Sequence, residues 1–189
     1  MPPLNTESIK VDASLRSMLE PNERPLAVVR RHVIGIIGLY LGVLAGAAAI
    51  IAFFTLVTPD LFDNLSNQSW RFLLAGIILA LAILILFLFV ATYVYRQSRL
   101  MITDRNLVQI WQKSLFIRKV SRLSIATVED VSADQRGILA TIFNYGTLLV
   151  QTAGKLENFE FKTSPDPNRF AGQIIAARQA YAESLQEKP

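Results

Sequence analysis

The side chains able to do chemistry in this chain are mostly basic and gathered in one place. Arg96, Arg99, Arg105, Lys113, Arg118, Lys119 and Arg122 share their stretch with a single acid, Asp104. The chemistry such a set offers is recognition of anions. Beside a membrane span it favours acidic lipid headgroups by roughly 1 kcal/mol per residue near the surface. These seven are the candidate lipid-headgroup residues, and the competing reading is that they only fix membrane topology. Arg105, in a turn, is also a candidate phosphate contact.

Catalysis would need a nucleophile with its base, a poised acid and base, or metal ligands at workable spacing. The one histidine, His32, stands beside Arg30 and Arg31 and reads as an anchor before a ligand. Glu129-Asp130 reads as a solvated loop or cap. With no cysteine, disulfides, thiolate metal sites and cysteine nucleophiles fall away together. There is no phosphate loop and no Gly-x-Gly-x-x-Gly motif. The expectation is a non-enzyme with no metal, no cofactor and no small-molecule substrate. Nucleic-acid binding is the weakest option, since only Trp111 and Phe116 interleave with the basic residues.

The elements that position these residues begin with two apolar runs. The chain is 52% apolar with a mean hydropathy of +0.36, unusual for a soluble domain. Between His32 and Arg96 the ionisable residues other than tyrosine are Asp60, Asp63 and Arg71, whereas 96–189 carries 13 Lys+Arg and 9 Asp+Glu. Val33–Val57 and Phe72–Tyr95 are 25 and 24 residues without a charge, against the roughly 20 that cross a bilayer. They hold 14 and 16 Ile, Leu, Val or Phe, so insertion is favourable by about 4 to 10 kcal/mol per helix. Neither shows the polar stripe of a core helix in a soluble protein. A cleaved signal peptide is disfavoured because the chain stays apolar through Val57 and the leader would contain Glu7, Asp12, Glu20 and Glu23.

Arg24, Arg30 and Arg31 precede the first span and Arg96, Arg99 and Arg105 follow the second. Both termini are therefore expected in the cytoplasm, with 58–71 as the outer loop and Asn64-Leu65-Ser66 as a turn. Trp70, Tyr40, Tyr93 and Tyr95 are candidate interface anchors. Gly38, Gly42 and Gly46 lie four apart on one helix face, and Gly76 and Ala80 repeat that spacing on the second helix. Such small faces let helices approach closely, within the hairpin or between copies of the chain.

From Ser98 the period changes. Leu100 and Ile102, then Leu107, Val108, Ile110 and Trp111, flank Thr103-Asp104-Arg105-Asn106, which predicts a β-hairpin. Leu115–Leu123 is a third run. Ile125, Val128 and Val131 suit a bulged or irregular stretch, and 138–143 a short helix. Thr147–Thr152 and Asn158–Lys162 are strands around a turn at Ala153-Gly154-Lys155, and Gly146 supplies a turn or a close backbone approach. Asp166 as N-cap and Pro167 open a last helix, about 166–186, with Phe170, Ile174, Ala177, Tyr181 and Leu185 on one face. The predicted fold is α+β: a two-helix transmembrane hairpin, then a small β-barrel or sheet domain capped by a C-terminal amphipathic helix. Its parts are an N-terminal segment 1–31, a hairpin 32–95 and a domain 96–189.

Three segments in this order carry a resemblance: Arg99–Leu107 directly after the span, Leu123-Ser124-Ile125 leading to Val128–Val131, and Asn144-Tyr145-Gly146-Thr147-Leu148. They resemble the bacterial pleckstrin-homology (PH)-like membrane proteins over about residues 14–186. One departure is Lys113-Ser114, where that family commonly has a glycine in the turn. The resemblance implies a PH-like fold and attachment to the bacterial inner membrane, and implies no agreed catalytic activity. The function expected is a membrane-anchored interaction or scaffold module at the cytoplasmic face of that membrane. Its partners would be the lipid bilayer and either another protein or a second copy of the chain. Anionic-lipid recognition by 96–122, or membership of an oligomeric membrane assembly, are the alternatives.

Overall fold

The computed structural model describes residues 12–57, 66–152 and 158–186. They form two compact units: His32 and the residues before it with Arg96 onward, and Val33–Tyr95.

The second unit is a helical hairpin. The first long helix, Ile34–Val57, follows α1 (Ala13–Arg16) and is labelled α2; α3 runs Asn67–Gln97. At 1.5 Å per residue they are about 36 and 46 Å long. Each has a window apolar enough to cross a membrane, and none of either window is buried. A core helix of a soluble protein would bury that surface. Ser66 caps α3, its hydroxyl accepting from the Ser69 N–H at 3.2 Å. The helix thus starts inside the loop expected over 58–71, of which 58–65 lie outside the described residues.

The two helices touch through hydroxyls and one glycine. Tyr40 Oη and Thr92 Oγ1 are 2.8 Å apart, so Tyr40 joins the helices and is more than an interface anchor. A Cβ at Gly35 would collide with the Tyr95 ring. By contrast, a Cβ at Gly38, Gly42, Gly46 or Gly76 would meet nothing within 4 Å. The small faces anticipated there do not pack the hairpin on itself; Gly35, one turn earlier, is the close approach.

The first unit holds two sheets. One is antiparallel in the order β1 (Pro25–Arg30), β2 (Arg99–Thr103), β3 (Asn106–Gln112), β4 (Arg118–Ser124); the other is β5 (Val128–Asp134), β6 (Tyr145–Thr152), β7 (Phe159–Pro165). Among the described residues the strands form two open sheets, so the barrel half of the expectation is replaced by a sheet pair. A 3-10 turn, Ile125–Thr127, leads into β5, which carries a bulge between Val128 and Asp130. Helix α4 (Ile138–Ile142) joins β5 to β6, and α5 (Pro167–Gln186) closes the domain.

Between the sheets lie Val29, Leu100, Ile102, Leu107, Ile125, Leu148 and Val150, with Ile174 of α5 fully buried among them. Burying a side chain such as Ile174 contributes about 1.5–3 kcal/mol, which is what holds the helix down. Asp166 accepts from the Arg169 N–H at 3.4 Å at its start. Leu185, expected on the buried face, is exposed because the helix outruns the sheet it covers.

The residues before α2 are part of this domain, where the sequence suggested a separate segment. β1 pairs antiparallel with β2, Val29 opposite Leu100, across the whole apolar hairpin. Leu15, Met18 and Leu19 pack on the other face of the first sheet, against Met101, Val108 and Ile110.

Candidate functional site

The turn Thr103-Asp104-Arg105-Asn106 is where the N-terminal residues are locked to the sheet. Glu23 is 6% exposed, and no hydrophobic packing alone would keep a carboxylate there. Its Oε1 accepts from the Thr103 hydroxyl at 2.5 Å and from Asn106 Nδ2 at 2.9 Å, and its Oε2 from the Glu20 N–H at 2.7 Å. Thr103 Oγ1 accepts in turn from the Asn106 N–H at 2.8 Å. Burial pushes the Glu23 carboxyl up. The hydrogen bonds from the Glu20 N–H, Thr103 and Asn106, with the Arg122 charge behind them, outweigh it and hold the group below the usual carboxylate range. Beside it, Asp104 Oδ1 accepts from the Arg24 N–H at 2.9 Å, and the Asp104 N–H donates to the Arg24 carbonyl at 3.1 Å. Sequence reading found the turn and missed its carboxylate, because Glu23 lies eighty residues from its partners.

The seven basic residues do not form one surface. Arg99 is largely buried and bonded to Asp12, with burial first and Arg118 second lowering its pKa. Arg122 is 2.5 Å from Glu20 Oε1 and also donates to the Met18 carbonyl. Both are internal ties and leave the headgroup set. Arg105 is exposed at the β2–β3 turn. Lys113, Arg118 and Lys119 lie at the opposite end of the same sheet, where β3 turns into β4, and Arg96 sits in the last turn of α3. The Lys113 ammonium lies 5.8 Å from the Trp111 ring. The β3–β4 turn needs no glycine: the Lys113 N–H donates to the Ile117 carbonyl at 2.9 Å, and no residue of 113–117 has a positive φ.

A groove of about 540 Å³ opens between the β2–β3 turn and α5, lined by Leu26, Arg105, Ala177, Ala180, Tyr181 and Leu185. It is apolar along the helix, with Arg105 and Asp104 at its rim. Among the described residues no group of three or more His, Asp or Glu could hold a metal ion.

Asn144-Tyr145-Gly146 resolves into three separate jobs. Asn144 adopts φ +48, a conformation asparagine tolerates, and its carbonyl accepts from the Asp166 N–H at 2.8 Å. Tyr145 stacks on His32, ring centroids 5.5 Å apart, so the histidine is a packing residue of the domain. Gly146 lies so close to β5 that a Cβ would stand 2.5 Å from the Asp134 carbonyl. Glu129 and Asp130 are exposed on β5 at its bulge.

Comparison with known proteins places one match on this architecture. The family model described as bacterial PH domain matches residues 26–178, from β1 to α5. No curated protein and no solved structure matches the chain.

Proposed function

Because this chain belongs to the bacterial PH domain family, we propose that it is a non-catalytic interaction or scaffold module held at the cytoplasmic face of the bacterial inner membrane by its helical hairpin. One observation carries the reading. β1, which precedes the first apolar helix, pairs in register with β2, which follows the second. If both helices cross a bilayer, a strand on each flank can share a sheet only when both flanks lie on the same side. The unburied apolar surface of both helices supports the crossing. Loss of the first helix as a leader would also remove β1 and its fully buried Val29.

The interaction surface is the groove at the β2–β3 turn, which takes a segment of another protein or of a second copy. Native mass measurement of the gently solubilised full-length chain is expected to give assemblies heavier than one 21.1 kDa chain. Ala180→Glu, which puts a charge into the groove, is expected to abolish them without releasing the chain from the membrane. Recovery of the wild-type protein only as a single chain overturns the reading.

A further inference from the structure

Turns are ordinarily polar, and two connections in this domain are not. The β3–β4 turn carries Leu115, Phe116 and Ile117, exposed by 44, 94 and 58%. The short helix α4 exposes Ile138, Leu139 and Ile142, and its C-cap Phe143 is exposed with them, from 49 to 79%. Nothing in the chain's described residues covers either set, and clustered exposed apolar side chains mark a surface that meets another phase or partner.

Register says where these patches are. In the first sheet Arg30 pairs with Arg99 and Arg99 with Ile110, while Gln112 pairs with Arg118. The apolar β3–β4 turn is therefore at the end of the sheet where β1 finishes and β2 starts, the end from which the chain enters α2 and returns from α3. In the second sheet α4 leads directly into Tyr145, and Tyr145 stacks on His32, which immediately precedes the apolar hairpin. The His32 N–H donates to the Thr163 carbonyl at 2.6 Å on the paired strand β7. Both patches thus lie at the end of the domain from which the chain runs on into the two long helices, and Arg105 with the groove lies at the opposite end of the first sheet.

From this placement we propose that the PH-like domain docks on the bilayer that anchors it, burying the Leu115-Phe116-Ile117 tip and the exposed face of α4 among the lipid headgroups and upper acyl chains. The proposal rests on the membrane-anchored reading above. The charge around the tip identifies the surface: Lys113, Arg118 and Lys119 flank it, and no acid occurs between Asp104 and Glu129. Basic residues ringing an apolar tip fit an anionic lipid surface, with cations at the phosphates and apolar side chains beneath. A two-fold contact between copies through this tip would set the same lysines and arginine against each other.

The chain has no cysteine, so single nitroxide labels can be placed at Ile117→Cys and Ile142→Cys in the full-length protein. Ile85→Cys in α3 and Gln179→Cys on exposed α5 serve as references for lipid and water. The labelled chains are reconstituted in phosphatidylcholine–phosphatidylglycerol vesicles, and collisions with oxygen and with a water-soluble nickel chelate are measured. Labels at 117 and 142 are expected to be oxygen-accessible and several-fold less nickel-accessible than the label at 179. Nickel access at 117 or 142 equal to that at 179, with 85 still in lipid, overturns the docking and leaves the anchor standing. Labels at 117 or 142 closed to both reagents indicate a protein contact and equally overturn it. Nickel access at 85 removes the anchor itself, and the docking with it.

Discussion

Val29→Asp is expected to remove a large share of the PH-like domain's stability while both long helices stay in the membrane. Val29 has no exposure, lies between the two sheets and pairs with Leu100. An unpaired carboxylate there loses the burial of the valine and leaves an uncompensated charge in the core, about 3–5 kcal/mol in all. A domain of this size has about 5–15 kcal/mol of total stability. Limited proteolysis of the reconstituted protein reads the effect: cleavage within 98–186 should become fast, and the hairpin fragment should stay with the vesicles. Arg30→Gln, next door but largely exposed and only 3.6 Å from Asp12, should change stability by less than about 0.5 kcal/mol. Domain stability untouched by Val29→Asp would mean that β1 is not a strand of this sheet.

Glu23→Ala is the second large effect, because it removes an acceptor shared by three donors and strands two of them. The Asn106 amide and the Glu20 N–H lose their acceptor, and Asn106 is buried; the Thr103 hydroxyl keeps only the Asn106 carbonyl, at 2.7 Å. Groups left unsatisfied in this way cost about 1–3 kcal/mol each at most sites, so a loss of about 2–4 kcal/mol is expected. The carboxylate also makes the domain acid-sensitive. Its folded-state pKa is depressed, so its contribution is present above the ordinary carboxylate range and is lost as pH falls through the folded value. Thermal unfolding of wild type followed downward in pH should lose stability in that window, and Glu23→Gln should flatten that loss. An unaltered pH profile in the glutamine variant would assign the acid sensitivity to another group.

Much of this architecture was legible because its signals are local. Thr103–Asn106 between two β-rich runs marked a hairpin, Asp166-Pro167 marked a helix start, and the spacing of Ile125, Val128 and Val131 marked the irregular entry to β5, where the 3-10 turn and bulge stand. Uncharged length alone marked the two apolar helices. What escaped was non-local. Pro25–Arg30 reads as a run-in to the first helix, because its partner strand lies beyond the hairpin and no pattern within the six residues reveals the pairing. For the same reason Asp12, Glu20 and Glu23 showed only as acids that a leader would not carry, while Arg99 and Arg122 looked like members of a lipid-binding row. Alternation along β2 and β4 turns those two arginines toward the N-terminal residues that neutralise them.

The glycine spacing in α2 does not mark where the hairpin packs on itself. Four-residue periodicity finds a smooth face and cannot say what covers it, and Tyr95 selects Gly35 instead. One signal was present and unread: Leu115-Phe116-Ile117 occupies a turn position, where the binary pattern calls for polar residues. A violation of pattern at an exposed site points to function more often than to error.

The central claim is that the two flanks of the apolar hairpin meet in one sheet on one side of a membrane. Single-cysteine variants at Gln68, in the first turn of the second long helix, and at Ala126, exposed in the 3-10 turn, test it with an impermeant maleimide on intact spheroplasts. The account predicts labelling at 68 in intact spheroplasts and at 126 only after permeabilisation. Labelling of both from the same side, or of 126 from outside, would contradict it.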